Sequence, residues 1–343
     1  MLDRHRRAVG RFVTDRVSRV RGVVEAARAI AHDSALFEAL LPSTGLSREG
    51  VRLALDEHLE LEPSDEELAR LIASTTPCVH VHVILSANVF VGALRAIAIA
   101  RASSERVTVR PSSREPHFAS ALVQAIGHPD VQLSGLAPSE GEIHVYGHDE
   151  TITDVVARAA SGVVVRGHGA GLGVALIDVE ADLQACARSL ARDVVPFDQR
   201  GCLSPRVAFV TGAERSRAFS DALHAELEEA EVRVPRGRQD DREAEELERY
   251  ASTVAYAGSL SRGRANAVGR STTVIVPPPG RNVHVVEVAG ELSALLDPIT
   301  RWVVAVGASD LSWARSIAPV HARVSKLGAM QRPPLDGPVD LRR

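Results

Sequence analysis

Beyond Pro77 the sequence alternates short β-branched runs with amphipathic stretches of helical spacing, and this rhythm limits the fold more than any other feature. Strands are expected at residues 79–85, 107–110, 131–133, 142–146 and 162–165. Helices are expected from about Val91, from Pro116, and over about residues 150–160. A further strand at 173–177 and a helix at 181–191 lead into VPFDQRGCLSPR. After Cys202 the pattern resumes with a strand at 207–211, a helix over 214–229 and an acidic helix within 240–256. Strands at 273–276, 283–286 and 302–306 complete it. Strand–helix alternation at this spacing predicts parallel sheets wrapped by helices.

The segment before Pro77 has a different period. Val13, Val17, Val20 and Val24 recur at helical spacing, and Ser64 in PSDEELARLIAS is an N-cap with Leu68, Leu71 and Ile72 as the buried face. The tail MQRPPLDGPVDLRR is too rich in proline for a core helix. The expected organisation is a helical N-terminal region (1–69), two α/β domains (70–195 and 196–325) and an extended tail (326–343). A chain of 343 residues has room for both domains. Its net charge of −4 and 3% aromatic content argue against a nucleic-acid binder. No apolar run reaches the length of a membrane span, the N-terminus has no apolar signal core, and three scattered cysteines suit a reducing, cytoplasmic setting.

Several motifs bear on chemistry. Gly167-His168-Gly169-Ala170-Gly171-Leu172-Gly173 precedes a strand, not a helix, so it fails the context of a dinucleotide fingerprint. It is either a tight strand connection or a substrate-lining loop. His80 and His82 share one face of a strand; at the strand's start they suit hydrogen-bonded, partly buried histidines better than metal ligands. Cys78 and Cys186 sit in apolar patterns and are expected to pack. Cys202 follows a polar, flexible approach, Phe197-Asp198-Gln199-Arg200-Gly201, with Arg200 and Arg206 close in sequence to favour a thiolate. Asn88 ends the first strand of the sheet, either as an oxyanion donor or as a helix N-cap. Arg110, Ser112 and Ser113 end the second strand with groups suited to phosphate. Gly147 and His148 end another strand, marking an anion site or an acidic helix start.

Taken in order, ILSANVFVGALRA, VTVRPSSREP, EIHVYGHDET, VVVRGHGAG, FDQRGCLSP and LGAMQRPPLDGPVDLR resemble the aldehyde dehydrogenase superfamily, and within it the bacterial fatty-acyl-CoA reductases of the bioluminescence type. The resemblance implies two α/β domains, one binding NADP or NAD without a glycine fingerprint and one catalytic. It implies that Cys202 is the catalytic thiol and Asn88 the side-chain half of the oxyanion hole, with His168 as a proton donor. Arg110, Ser112, Ser113, Gly147 and His148 would hold the cofactor, and the Arg110 position without a neighbouring glutamate leans toward NADP. The substrate implied is a small-molecule acyl thioester of coenzyme A, and the assembly a homodimer. Where hydrolytic members carry a general-base glutamate, this sequence has Arg166-Gly167-His168-Gly169, and no acid stands where a later glutamate would grip the nicotinamide ribose. The alternatives are an acyl-phosphate reductase, an aldehyde dehydrogenase, or an inactive subunit that keeps the fold.

Overall fold

A computed structural model describes residues 2–342, with side chains from Asp15 onward; Met1, Arg343 and the side chains of residues 2–14, Val13 among them, lie outside the described residues. The chain divides into two compact units. One comprises Met1–Thr44, Leu55–Ala170 and Pro334–Pro338, and the other Gly45–Ala54, Gly171–Pro333 and Val339–Arg343.

Helices α1 (Leu2–Ile30), α2 (Ser34–Thr44), α3 (Arg48–Glu57) and α4 (Asp65–Ala73) come first in the chain, with residues 45–54 assigned to the second unit and the rest to the first. The capping box that starts α4 is present: Ser64 Oγ accepts from the Glu67 N–H at 3.2 Å and Glu67 Oε2 accepts from the Ser64 N–H at 2.6 Å. Leu68, Leu71 and Ile72 form its buried face. The first unit's sheet contains β1 (Val81–Ile84), β2 (Val107–Arg110), β3 (Val131–Leu133), β4 (Glu142–Tyr146) and β5 (Val164–His168), with α5 (Gly92–Ser103), α6 (His117–Ile126) and α7 (Asp149–Arg158) in the connections. The strands are all parallel, in the order β3-β2-β1-β4-β5. That order reverses between β1 and β4, and open sheets of this kind take ligands beyond the carboxyl ends of the strands at such a point. β5 begins two residues later than the sequence suggests, because Gly162 adopts a positive φ of 91° and the register pairs Val164 with Glu142.

In the second unit, β6 (Leu172–Ile177), β7 (Pro205–Thr211), β8 (Ser259–Arg262), β9 (Ala267–Ser271), β10 (Asn282–Val288), β11 (Val303–Ala308) and β12 (Arg323–Lys326) form a sheet in the order β12-β11-β6-β7-β10-β9-β8, parallel except for β8 against β9. Helices α8 (Leu183–Val194), α9 (Ala213–Arg233) and α10 (Asp241–Ala257) join the short α11 (Leu292–Leu296) and α12 (Leu311–Ile317). One face of the sheet packs Val210 and Val285 against Leu190, Phe219 and Leu223; the other packs Leu176, Phe209 and Val286 against Leu296, Ile299 and Ala314. Burial on both faces explains why these strands read as continuous apolar runs.

Two expectations from the sequence are corrected. Residues 273–276 form no strand: they run into Pro277–Pro279, which offer no N–H to a ladder, and Thr273 bonds to Ser271 Oγ through its N–H and its carbonyl. The strand lies earlier, at β9, whose Gly269 and Arg270 disguise it. In addition, β6 and α8, grouped by sequence with the first α/β domain, belong to the second unit, because β6 hydrogen-bonds between β7 and β11.

Candidate functional site

At the carboxyl ends of β1 and β2 the first unit gathers Asn88, Arg110, Ser112, Ser113 and Arg114. Asn88 is partly exposed on the turn between β1 and α5. It does not cap α5, whose N-cap is Val91 with no side-chain bond. Instead Asn88 Oδ1 accepts from Arg114 Nη2 at 2.6 Å, which leaves the Nδ2 donors as the end of the amide available to an anion. Arg114 carries no sign of this role in the sequence, since nothing in RPSSREP marks one arginine over the other. Arg110 is exposed and forms no ion pair among the described residues; Ser113 is exposed beside it. Ser112 Oγ accepts from the Arg114 N–H at 3.3 Å and so shapes the loop.

Gly147 and His148 follow β4, on the other side of the order reversal. The Gly147 N–H donates to the His168 carbonyl at 3.2 Å, and His148 is the exposed N-cap of α7 without a side-chain bond. The first turn of α7 carries Asp149 and Glu150, and Asp149 Oδ1 accepts from the Ala170 N–H at 3.0 Å. His168, on β5, stacks on Tyr146 with ring centroids 4.5 Å apart. The glycine cluster has a packing cause: a Cβ on Gly167 would stand 2.7 Å from Ile152 Cγ2, and one on Gly169 would stand 2.2 Å from Asp149 Oδ1. These glycines let β5 and its following loop lie against α7.

Other polar groups of this unit are bonded within it. His80 Nε2 and His82 Nδ1 both meet Thr108 Oγ1 at 2.8 Å, the hydrogen-bonded burial expected of them, and burial first, then His80 and Arg110, pushes His82 down to about 4. Arg166, in the place of the general-base segment, forms a bidentate pair with Glu142 at 2.7 Å to each oxygen. Burial alone would raise the Glu142 carboxyl, but Arg166 and His144 outweigh it and hold it at about 2. Glu142 is thus engaged as a carboxylate by Arg166 and His144.

Cys202 lies in the second unit, on the turn that enters β7. Its approach, read from sequence as polar and flexible, is a buried turn tied down by hydrogen bonds. Phe197, Asp198 and Gln199 hold φ values of 55°, 51° and 64°, a left-handed turn that costs about 1–2 kcal/mol per residue. Buried bonds sustain it. Asp198 Oδ1 accepts from Arg281 Nη2 at 2.9 Å, and Gln199 donates to the carbonyls of Pro205 at 2.7 Å and Asn282 at 2.8 Å while accepting from the Asn282 N–H at 2.7 Å. Gln199 thus bridges the entries to β7 and β10 with its side chain.

The arginines expected to activate the thiol are engaged elsewhere. Arg200 pairs with Glu243 at 3.1 Å, and Arg206 donates to the Pro277 carbonyl at 2.8 Å. The charges that act on Cys202 come instead from Asp340 and Arg342, an ion pair at 2.6 Å. Burial, then the Asp340 carboxylate, pushes the thiol up to about 11, while Arg342 and the backbone N–H groups of Cys202 and Leu203 act in the opposite direction. The sequence gives no local signal for this, because the charged pair stands in the tail. Cys186 is buried in α8 and Cys78 is partly buried; burial raises both thiols, as suits packing residues. Among the described residues no three metal-binding side chains cluster, and no helix is long and apolar enough to cross a membrane.

Residues 46–319 match the family described as "Acyl-CoA reductase (LuxC)". The fold is that of aldehyde dehydrogenases. A NAD-dependent benzaldehyde dehydrogenase from Corynebacterium glutamicum superposes with a TM-score of 0.69 at 14% identity, over 93% of this chain and 82% of that one. A putative aldehyde dehydrogenase from Burkholderia cenocepacia gives 0.71 at 15%, over 93% and 78%. An NADP-dependent glyceraldehyde-3-phosphate dehydrogenase from Bacillus halodurans C-125, complexed with NADP, gives 0.69 at 12%, over 92% and 79%. No curated protein matches the sequence.

Proposed function

The chain belongs to the acyl-CoA reductase (LuxC) family, and from that premise we propose that it reduces an acyl-CoA, or another acyl thioester, to an aldehyde through an acyl-enzyme on Cys202. The observation that carries the proposal is the mounting of Cys202: a half-buried residue on a turn fixed upstream by buried bonds, with backbone N–H groups at its sulfur.

A nicotinamide dinucleotide supplies the hydride in this chemistry. The residues present fit its adenosine end: Arg110 is exposed and without an ion pair, Ser112 and Ser113 stand beside it, and the absence of an acid there suits a 2′-phosphate. Gly147 and His148 would follow the dinucleotide at the reversal of strand order. The acids in the first turn of α7 disfavour a phosphate seated directly on that helix end.

The steps of the chain's own residues are then these. The Cys202 sulfur attacks the thioester carbonyl as a thiolate, and the proton it gives up ends on the departing coenzyme A thiolate. The Cys202 N–H donates to the oxyanion, and the tetrahedral species collapses with loss of the coenzyme A thiolate. After the acyl carbon has gained hydride, the thiohemiacetal on Cys202 expels the sulfur and releases aldehyde. Asn88 as second oxyanion donor rests on the family pattern, supported by its free Nδ2 donors; His168 as proton donor rests on the same pattern. Arg166, bonded to Glu142, stands in the general-base place, which supports transfer to or from a thiol over hydrolysis by activated water.

The test follows NADPH and NADH oxidation across acyl-CoA chain lengths. The expected result is turnover that Cys202→Ser abolishes; turnover unchanged in Cys202→Ser refutes the acyl-enzyme. The acyl-phosphate alternative loses its support, because Arg200 and Arg206 are engaged away from the thiol. The raised thiol favours the inactive-subunit alternative, in which Cys202 resists alkylation at every pH below 9 even with cofactor bound.

A further inference from the structure

Just downstream of Cys202 lies a second set of buried contacts that the proposed reaction does not require. Asp193, near the end of α8, is fully buried, and its two carboxylate oxygens accept from the Gly328 N–H at 2.6 Å and the Met330 N–H at 2.8 Å. One side chain therefore fixes the turn that follows β12. From that turn Gln331 Nε2 donates to the Asp193 carbonyl at 3.1 Å and to Ser204 Oγ at 3.0 Å. Ser204, itself fully buried, is two residues beyond the thiol, and its carbonyl accepts from the Gly173 N–H at 2.9 Å.

Met330 completes the arrangement. It is buried beside Leu203, Val304 and Ala305, with Cys202 packed against the same cluster. It reaches this position only because two strands are glycine where it lies: a Cβ on Gly173 would stand 2.7 Å from Met330 Cε and 2.4 Å from the Leu203 carbonyl, and one on Gly307 would stand 2.4 Å from Met330 Sδ. Gap filling would account for Met330 but not for a buried amide that spans α8 and the nucleophile turn. Buried amides are costly unless fully bonded, and this one is bonded at a geometry that sets the height of Ser204.

We propose that the turn over residues 328–331 is a positioning element for Cys202, with Gln331 and Met330 holding Leu203 and Ser204 so that the thiol and its neighbouring N–H groups keep the geometry for attack. This rests on Cys202 being the nucleophile of the reaction above. Gln331 acts through its bonds to Asp193 and Ser204, and Met330 through its packing in the cluster that Cys202 joins.

The test compares the full-length protein with Gln331→Leu, Ser204→Ala and the double variant. Three readouts are taken: the pH profile of iodoacetamide alkylation at Cys202, followed by mass of the Cys202 peptide; kcat and KM with acyl-CoA; and the melting temperature. Gln331→Leu is expected to move the alkylation midpoint by about half a pH unit or more. It should also lower kcat about tenfold while KM stays within about twofold. Ser204→Ala is expected to do the same to a smaller extent, and adding it to Gln331→Leu to change nothing further, because Gln331→Leu already removes the one Gln331 bond that Ser204→Ala breaks. A folded variant with a lower melting temperature but an unchanged alkylation profile and kcat overturns the proposal. If Gln331→Leu fails to fold, Ser204→Ala, which leaves Gln331 bonded to Asp193, decides by the same criterion. Alkylation needs no acyl thioester. A shifted profile in a protein that turns over no acyl-CoA therefore supports the positioning role and refutes the reaction.

Discussion

At the scale of single residues, the state of Cys202 is set by its surroundings more than by its sequence neighbours. A thiol at about 11 is almost wholly protonated at neutral pH, so attack requires the bound cofactor or substrate to alter its environment. Alkylation of Cys202 in the free protein is accordingly expected to rise only above pH 9, measured on the Cys202 peptide. Asp340 is the largest opposing charge on the sulfur, and it also occupies Arg342. Asp340→Asn removes the repulsion and releases the cation, so its alkylation profile is expected to shift to lower pH, and Arg342→Gln to higher pH. A profile insensitive to both would place the cause in burial alone. Asn88→Ala is expected to lower kcat by about 10²–10³ if its Nδ2 serves an oxyanion, with alkylation of Cys202 unchanged.

At the scale of elements, the sequence exposed whatever rests on periodicity and local chemistry. The strands β2, β3 and β4 and the capping box of α4 fall on the residues their patterns indicate, because apolar runs and a Ser-x-x-Glu motif are local signals. β9 was illegible because its strand character comes from its neighbours: Gly269 lies where a Cβ would stand 2.1 Å from the Tyr250 hydroxyl, and β10 supplies its ladder. The left-handed turn before Cys202 was illegible too, since FDQR contains no glycine and its conformation depends on Arg281, far along the chain. That pairing has a measurable consequence. Arg281 and Asp198 are each about 2% exposed at the side chain, so Arg281→Met leaves a buried carboxylate without its cation. The expected loss is about 3–5 kcal/mol in denaturant unfolding, and the double variant Arg281→Met with Asp198→Asn should recover part of it. Equal loss in both variants would mean that packing, not charge, holds the turn.

At the scale of the whole molecule, buried titrating groups make the two units respond differently to acid. His82 and His284 are buried and neutral, lowered by burial from 6.5 to about 4, so the stability they contribute is whole above pH 6.5 and lost as the pH falls to 4, on the order of 3 kcal/mol each. Asp193 runs the other way: burial raises it from 3.8 to about 7, so its contribution is whole in acid and lost as the pH rises through 7. His284 and Asp193 share the second unit and largely cancel. In the first unit His82 is joined by His80, also lowered by burial, and only Glu115, raised by burial, opposes them. Between pH 6.5 and 4, hydrogen exchange is therefore expected to show peptides of the first unit losing protection before those of the second; simultaneous loss would contradict this assignment. The division of the chain carries a different consequence. Residues 334–338 complete the first unit, where Arg95 donates to the carbonyls of Pro334 at 2.8 Å and Gly337 at 2.6 Å, and residues 339–342 return to the second. During synthesis each unit therefore gains contacts from one shared segment that follows the rest of its residues in the chain.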